Sequence, residues 1–254
     1  MAFRGVLLDI GGVLYVGEAP IAGAAEALDR LRRAGLPLRF ITNTTSSPRR
    51  AVLERLVRLG FEIAPEELFT PAAAARDWLA KRRLTPWLLV AEPLLEDFPA
   101  TVEPPDAVVI GDAGAGFTYE RLNEAFRLIM DGAPLIALAR NRYFMQPDGL
   151  TLDAGAFVAA LEYAAQVEAT VLGKPAPDFF AAALASMGCT AKQAVMVGDD
   201  WESDVNGAVE AGLGGILVKT GKYTAGDEAK LLPGALIADD IAEAVEMISA
   251  TPGH

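Results

Sequence analysis

The sequence predicts an α/β protein with a doubly wound, Rossmann-like parallel sheet and an inserted αβ cap domain. Short β-type runs alternate with longer helical patterns from the first residues to the last, which favours a parallel sheet covered by helices on both faces. The middle of the chain has an alternation of its own. A complete α/β unit within an α/β sheet indicates a second domain inserted into the first.

The outer parts of the chain supply the elements of the main sheet. Helices are expected to stop at Gly35, Gly60 and Gly212, because glycine is common just after a helix. The predicted strands are Gly5–Asp9, Leu36–Thr42, Ala194–Gly198 and Gly215–Val218. The predicted helices are Ala22–Ala34, Pro48–Leu59, Ser203–Ala211 and Ile241–Ile248.

The central segment is predicted to form the cap. Its strands are expected at Trp87–Val90, Ala107–Ile110 and Pro134–Ala137, and its helices at Thr118–Ile129 and Ala154–Ala164. These patterns divide the chain into a core domain formed by residues 1–71 and 173–254 and a cap domain formed by residues 72–172.

Composition excludes several classes of function. The chain has 254 residues and a formal net charge of −12, so no basic surface is expected for nucleic acid or an anionic membrane. With His254 as the single histidine, Ser-His-Asp triads and histidine-based zinc sites are excluded. One cysteine, Cys189, excludes an internal disulfide, and no apolar run is long enough for a membrane span. We therefore expect a cytoplasmic protein whose catalysis uses carboxylates, lysine or hydroxyls.

Two candidate site motifs follow the first two predicted strands. In LLDIGGVLY, Asp9 ends a strand and Gly11-Gly12 let the backbone fold closely around an anion or metal, although an ordinary turn aspartate also fits. In FITNTTSSP, Thr42 and Asn43 offer donors for phosphate oxygens, and helix capping is the alternative explanation. Ligands of open α/β sheets bind at the carboxyl ends of strands, where both motifs are expected.

Two further motifs follow the central segment. In VLGKPAPDFF, Lys174 can neutralise a phosphate and a neighbouring carboxylate, whereas a solvated turn lysine is the alternative. The motif is not a Walker sequence, because Pro175 stands where Ser or Thr is required. MVGDDWESDV carries four carboxylates in six residues, at positions 199, 200, 202 and 204. The preference of acidic residues for a helix N-terminus accounts for one or two of them, so the cluster indicates a cation.

The glycine-rich stretch GDAGAG at residues 111–116 is a weaker signal. It follows a predicted strand and precedes a predicted helix, but it does not fit the spacing GxGxxG of dinucleotide-binding turns. No acidic residue that would bind a ribose is evident. A dinucleotide site is therefore not predicted.

Taken in order, the four motifs resemble those of the haloacid dehalogenase superfamily, and the insertion between the second and third resembles its subclass IIA, phosphatases with a large αβ cap. The resemblance extends over essentially the whole chain through LYVGEAPIAGAAEAL, TNT, FTYERLNEAF and GKPAPDFF. It implies a Mg²⁺-dependent phosphatase of small phosphorylated substrates, acting through an aspartyl-phosphate. It also implies a homodimer formed through the caps.

The resemblance assigns roles to individual residues. Asp9 would attack phosphorus, and Mg²⁺ would be held by the Asp9 carboxylate, the Gly11 carbonyl and Asp199. Asp204 would complete this metal site by orienting a metal-bound water or Lys174. Thr42, Asn43 and Lys174 would bind the phosphoryl oxygens, and cap residues Asp153–Phe157 would close over the leaving group. Asp200 and Glu202 are expected to face solvent or the helix terminus.

One position departs from the pattern of the superfamily. Most of its phosphatases have a second aspartate, a general acid, two residues after the nucleophile, and this chain has Gly11 there. Without that acid, alkyl phosphates should react poorly. The hydrolysis of pyrophosphate, N-phosphoryl groups and aryl phosphates should be slowed less, because their leaving groups depart with little protonation. Within the subclass, the sequence is most similar to phosphatases of such P–N and P–O–P bonds. The alternatives are a general phosphatase of small phosphomonoesters and a regulatory pseudo-phosphatase that binds Mg²⁺ and phosphate.

Overall fold

The computed structural model describes residues 3–100, 103–146 and 149–250, which form two compact units. The first unit comprises residues 1–42, 53–69 and 174–254, and the second comprises residues 43–52 and 70–173. Both units are built on parallel sheets, so the predicted α/β fold class is confirmed. Residues 43–52 cluster with the inserted segment, whereas the sequence pattern had kept them with the core. His254 lies outside the described residues.

The strands are short and mostly buried. In chain order they are β1 Gly5–Leu8, β2 Tyr15–Val16, β3 Ala19–Pro20, β4 Leu38–Ile41, β5 Leu68–Phe69, β6 Pro86–Leu89, β7 Ala107–Ile110, β8 Leu135–Ala137, β9 Tyr143–Gln146, β10 Gly149–Leu152, β11 Thr170–Val171, β12 Ala194–Gly198, β13 Gly214–Val218 and β14 Leu236–Ala238.

The helices alternate with these strands along the chain. They are α1 Ala24–Arg33, α2 Arg49–Arg58, α3 Pro71–Arg82, α4 Tyr119–Met130, α5 Ala154–Ala165, α6 Pro177–Met187, α7 Gly207–Glu210 and α8 Ile241–Ala250. A π-helical turn, Trp201–Asn206, leads directly into α7. Short 3₁₀ helices lie at Pro65–Glu67, Glu92–Asp97, Gly114–Gly116, Ala191–Gln193 and Asp227–Lys230.

The first unit is a parallel sheet of six strands in the order β14-β13-β12-β1-β4-β5. Its central strand β1 is buried along its whole length, as is β12 beside it, which explains why both read as continuous apolar runs. The chain runs outward from β1 through β4 to β5 and later from β12 through β13 to β14. The direction of winding therefore reverses between β1 and β12, which is where open α/β sheets bind ligands.

The second unit is built on a parallel sheet of four strands in the order β11-β8-β7-β6. Alternate residues of β7 face opposite sides, because side chains alternate along a strand. Val109 belongs to a core cluster with Ala75 and Leu79 of α3. Val108 belongs to a second cluster with Ile129 of α4 and Val158 of α5. Helices thus cover both faces of this sheet.

Some elements differ from the sequence prediction. The predicted helix Ser203–Ala211 begins as the π-helical turn at Trp201 and ends at Glu210. Helix α3 was not predicted because its PAAAARDW sequence lacks an apolar stripe, and two of its four buried residues are alanines. The antiparallel pair β2–β3 and the strand β14 were also not predicted, because runs of two or three residues carry no readable periodicity.

Candidate active site

The candidate site lies at the carboxyl edge of the six-stranded sheet. Asp9 follows β1 and Asp199 follows β12, which pairs with β1 in parallel. Thr42 follows β4 on the other side of β1 and is buried. Parallel strands end at the same edge of a sheet, so three residues that are far apart in the sequence lie at one edge, and Asp9 and Asp199 flank the reversal point between β1 and β12.

A buried ion-pair chain joins Asp9, Lys174 and Asp204. The Lys174 Nζ atom lies 2.5 Å from Asp9 Oδ1 and 2.7 Å from Asp204 Oδ1. It also donates to the Ile41 carbonyl at 3.3 Å. The Lys174 side chain is only 3% exposed. Although burial alone would lower its pKa, the charges of Asp204 and Asp9 raise the pKa of Lys174, which therefore stays protonated.

Asp199 adds a third carboxylate to this group. One carboxylate oxygen from each of Asp9, Asp199 and Asp204 lies within 4.8 Å of the other two. Burial, together with the charges of Asp9 and Asp204, raises the pKa of Asp199 to about 8. Burial likewise raises the pKa of Asp204 to about 6, against the opposing effect of Lys174. The charge of Lys222 opposes the rise in the pKa of Asp199 without cancelling it, so the lysines supply too little positive charge for three buried carboxylates.

Both oxygens of Asp204 have polar contacts, of which the contact of Oδ1 is an ion pair without hydrogen-bond geometry. Its Oδ1 atom lies against Lys174, and its Oδ2 atom accepts a hydrogen bond from the Asp200 backbone N–H at 3.2 Å. Asp204 was predicted to complete the metal site by orienting either a metal-bound water or Lys174. The contacts of the side chain favour the role through Lys174.

The other acids of the fourth motif serve the helix terminus. Asp200 is the N-cap of the turn Trp201–Asn206, and its Oδ1 accepts from the backbone N–H groups of Glu202 and Ser203, both at 3.0 Å. The lysine ammonium of Lys222 lies 3.4 Å from Asp200 Oδ2. Glu202 is exposed. Asp200 thus lies at the helix terminus and Glu202 faces solvent, as expected.

The two glycines that follow Asp9 in the motif, Gly11 and Gly12, differ in their surroundings. A Cβ atom added to Gly11 would meet no heavy atom within 4 Å, and the φ angle of Gly11 lies outside the left-handed region. Gly12 has a φ of +80°, and a Cβ there would lie 1.9 Å from Asp199 Oδ2. Gly12 is therefore required for close packing against Asp199, whereas Gly11 has room for a side chain.

The remaining predicted residues lie in the second unit. Asn43 is half-buried there, and a Cβ on Gly173 would lie 2.9 Å from its Oδ1 atom. Asp153 is the N-cap of α5, where its Oδ1 accepts from the Ala154 N–H at 2.7 Å. Phe157 stacks on Phe117 with ring centroids 3.7 Å apart. Their roles toward a phosphorylated substrate stay predictions.

One segment of this edge, Thr220–Lys222, was not predicted from the sequence. Residues Thr220–Lys222 follow β13, the strand next to β12. The Lys222 N–H donates to Asp199 Oδ2 at 2.7 Å, and the Thr220 hydroxyl donates to the Gly12 carbonyl. The signal was present, since KTGK directly follows the apolar run GGILV just as the other motifs follow their strands.

The donor set of this site fits a hard divalent cation. Three buried carboxylates converge on the Lys174 ammonium group, and no histidine or thiol of the described residues belongs to this cluster. Oxygen-only ligand sets of this kind suit Mg²⁺. Added positive charge would also offset the mutual repulsion that burial imposes on these acids.

A nucleophile-type aspartate after the central strand, a lysine buried against it and an acidic cluster after the neighbouring strand define the haloacid dehalogenase class of hydrolases. The chain belongs to this family. Residues 6–100 match the family described as haloacid dehalogenase-like hydrolase, and residues 171–244 match the HAD-hydrolase-like family.

Two relatives cover nearly the whole chain. Haloacid dehalogenase-like hydrolase domain-containing protein 2 from Rattus norvegicus is 50% identical over 231 residues, 91% of this chain and 89% of that protein. Phospholysine phosphohistidine inorganic pyrophosphate phosphatase, also from Rattus norvegicus, is 44% identical over 254 residues, 96% of this chain and 94% of that protein.

Solved structures of the family agree with this identification. The 4-nitrophenylphosphatase from Thermotoga maritima is 26% identical and has a TM-score of 0.88, covering 97% of both chains. A NagD protein from E. coli K-12 is 27% identical with a TM-score of 0.83, covering 96% of this chain and 98% of that one. The chain is thus a phosphatase of the subclass IIA type that its motifs resemble. Among the described residues, no helix is long and apolar enough to cross a membrane.

Proposed function

We propose that the protein is a Mg²⁺-dependent phosphatase that acts through an aspartyl-phosphate on Asp9, with the inserted segment serving as its cap. The observation that carries this proposal is the buried contact of Lys174 with both Asp9 and Asp204, at the point where the sheet reverses its winding. The ammonium group 2.5 Å from Asp9 Oδ1 holds that carboxylate at the sheet edge, where a nucleophile would have to stand.

The proposed reaction has two steps. A carboxylate oxygen of Asp9 attacks phosphorus, and the bond from phosphorus to the leaving oxygen or nitrogen breaks. A water molecule then attacks the acyl phosphate, releasing inorganic phosphate and regenerating the Asp9 carboxylate. Lys174 and the donors of Thr42 and Asn43 would bind the phosphoryl oxygens.

The Asp9 carboxylate, the Gly11 carbonyl and Asp199 would hold the metal ion. When bound, Mg²⁺ would supply positive charge to the phosphoryl oxygens as the charge of the transition state develops. We assign Asp204 to positioning Lys174, because both oxygens of Asp204 have partners within the protein. This assignment keeps Lys174 between the nucleophile and a second fixed anion.

The absence of a side chain at Gly11 is a reason to expect a restricted range of substrates. No side chain at this position can protonate a leaving group, so we propose substrates whose leaving group needs little protonation: pyrophosphate, phosphohistidine- or phospholysine-like groups and aryl phosphates. The names of the relatives agree with this range, since one is a phospholysine phosphohistidine inorganic pyrophosphate phosphatase and another a 4-nitrophenylphosphatase. A general phosphatase of small phosphomonoesters is the second candidate, and a regulatory pseudo-phosphatase is disfavoured by the intact contacts of Asp9 with Lys174.

The test is a phosphate-release panel that covers pyrophosphate, imidodiphosphate, phosphohistidine, aryl phosphates and sugar phosphates, with Mg²⁺ and with chelator. Activity should require Mg²⁺ and should be lost in Asp9→Asn and Asp199→Asn. Glu202→Gln is the matched control, because it neutralises an exposed acid of the same motif and should keep wild-type activity. An Asp9→Asn variant that keeps more than a few per cent of the activity would exclude the covalent mechanism.

Two features inferred from the sequence stay predictions. One is the homodimer through the caps, which light scattering can check by giving the mass in solution. The other is the cytoplasmic location of the protein, which fractionation of cells that express it can check.

A further inference from the structure

The segment Thr220–Lys222 has no role in the proposed reaction, yet it contacts two parts of the site. It leaves β13 at the same sheet edge as Asp199, which leaves the adjacent strand β12. Lys222, at one end of the segment, contacts Asp199, and Thr220, at the other end, contacts the Gly11-Gly12 loop after Asp9.

The contact with Asp199 comes from the backbone. The Lys222 N–H donates to Asp199 Oδ2 at 2.7 Å, a hydrogen bond to a carboxylate and hence among the stronger kinds. Gly221 makes this approach possible, because its φ is +60° and a Cβ on it would lie 2.1 Å from Asp199 Oδ2. Any other residue at position 221 would push the carboxylate away.

The contact with the glycine loop comes from a side chain. The Thr220 hydroxyl donates to the Gly12 carbonyl, and the Gly12 N–H donates to the Tyr15 carbonyl at 2.8 Å. A Cβ on Gly221 would also lie 2.4 Å from the Gly12 Cα. The Asp199 carboxylate and the loop that carries the Gly11 carbonyl are therefore both held by the segment Thr220–Lys222.

We propose that Thr220–Lys222 is a positioning element of the metal site, which fixes Asp199 and the loop around Gly11 in the geometry that binds the cation. The inference rests on the proposed function, since it presumes that these groups are the metal ligands. Partners that orient metal ligands in this way typically contribute about 10- to 100-fold to metal affinity. The Lys222 ammonium is not part of the element, because its contact with Asp199 is made by the backbone.

The experiment measures Mg²⁺ binding directly, by titration calorimetry and by the Mg²⁺-dependent rise in Tm, without any substrate. Gly221→Ala should weaken Mg²⁺ binding about 10- to 100-fold. Gly188→Ala is its matched control: Gly188 has nearly the same φ, +64°, but a Cβ there would meet nothing within 4 Å. The control carries the backbone strain without the overlap and should bind Mg²⁺ as the wild type does.

A second pair of variants does not depend on how well Gly221→Ala folds. Thr220→Val keeps the shape of the side chain and removes the hydroxyl, and it should weaken Mg²⁺ binding about 3- to 10-fold, the effect of one hydrogen bond. Thr220→Ser keeps the hydroxyl and should restore binding. In phosphate release, the requirement for Mg²⁺ should shift in parallel.

The outcomes separate this inference from the function on which it rests. Wild-type protein that binds Mg²⁺, with Thr220→Val and Gly221→Ala binding it equally well, would overturn the positioning role alone. Wild-type protein that does not bind Mg²⁺ would overturn the metal site and the positioning role together. Equal weakening by Thr220→Val and Thr220→Ser would also overturn it, because the hydroxyl would then not be the group that matters.

Discussion

Substitution of Gly11 by aspartate tests the link between the missing acid and the choice of substrate. Gly11 occupies the position at which most phosphatases of this superfamily carry a general acid. The structure allows the change: a Cβ at Gly11 would meet no heavy atom within 4 Å, and its φ lies outside the left-handed region. The variant should therefore fold and keep its metal ligands.

The expected gain is that of one general acid. Such groups contribute about 10²–10⁴-fold, which corresponds to about 3–5 kcal/mol of transition-state stabilisation. Wild-type kcat/KM should fall steeply as leaving-group basicity rises across a series of aryl and alkyl phosphates. Gly11→Asp should flatten that dependence and help the alkyl esters, including sugar phosphates, by the largest factors.

Two controls make the result interpretable. Gly11→Asn has nearly the same shape as Gly11→Asp but no acidic proton, so it should leave the steep dependence unchanged. Gly12→Ala places a Cβ 1.9 Å from Asp199 Oδ2 and should impair Mg²⁺ binding instead. The reasoning fails if wild-type enzyme hydrolyses sugar phosphates as fast as pyrophosphate, or if Gly11→Asn and Gly11→Asp behave alike.

Two further predictions follow from the geometry. Lys174→Met should destabilise the protein in Mg²⁺-free buffer by about 3–5 kcal/mol, because it leaves buried carboxylates unpaired. Urea unfolding measures this change in the free energy of unfolding. Adding Asp204→Asn to the Lys174→Met variant should recover part of the lost stability. A Lys174→Met variant as stable as the wild type would contradict the buried ion-pair chain. In the second unit, Phe157→Leu should change the ranking of substrates in the phosphate-release panel more than it changes the Mg²⁺ requirement. A uniform loss of activity with an unchanged ranking would count against the cap as the source of selectivity. Asp153 and Gly155 are unsuitable for this test. Asp153 caps α5, and a Cβ on Gly155 would lie 2.4 Å from the Asn141 carbonyl oxygen.

Much of the site could be predicted because chemically distinctive residues stand directly after apolar strands. Asp9 and Asp199 end β1 and β12, and parallel pairing of these strands brings the two carboxylates to one edge. Lys174 was predicted from its type and its neighbours, and the structure brings it to the same carboxylates. The general rule that ligands bind at this edge was sufficient for all three.

The missed parts are those in which the backbone carries the contact. Lys222 contacts Asp199 through its backbone N–H, and Gly221 allows this contact because it has no side chain. The role of neither residue could therefore be predicted from its type. The two oxygens of Asp204 could not be assigned from spacing either, since their partners depend on the π-helical turn that starts at Trp201. The sequence pattern had predicted an α-helix starting at Ser203.

The charges at the site explain why the support of Asp199 should matter for function. Lys174 is buried against two carboxylates, so much of its positive charge is already offset before a phosphoryl group arrives. The chain as a whole carries a net charge of −12, which cannot attract an anionic substrate. In the proposed function, the remaining positive charge comes from a cation that Asp9 and Asp199 would hold. Asp9 is fixed by Lys174, whereas Asp199 is fixed by the backbone of the neighbouring strand end, so the affinity for that cation should depend on both contacts.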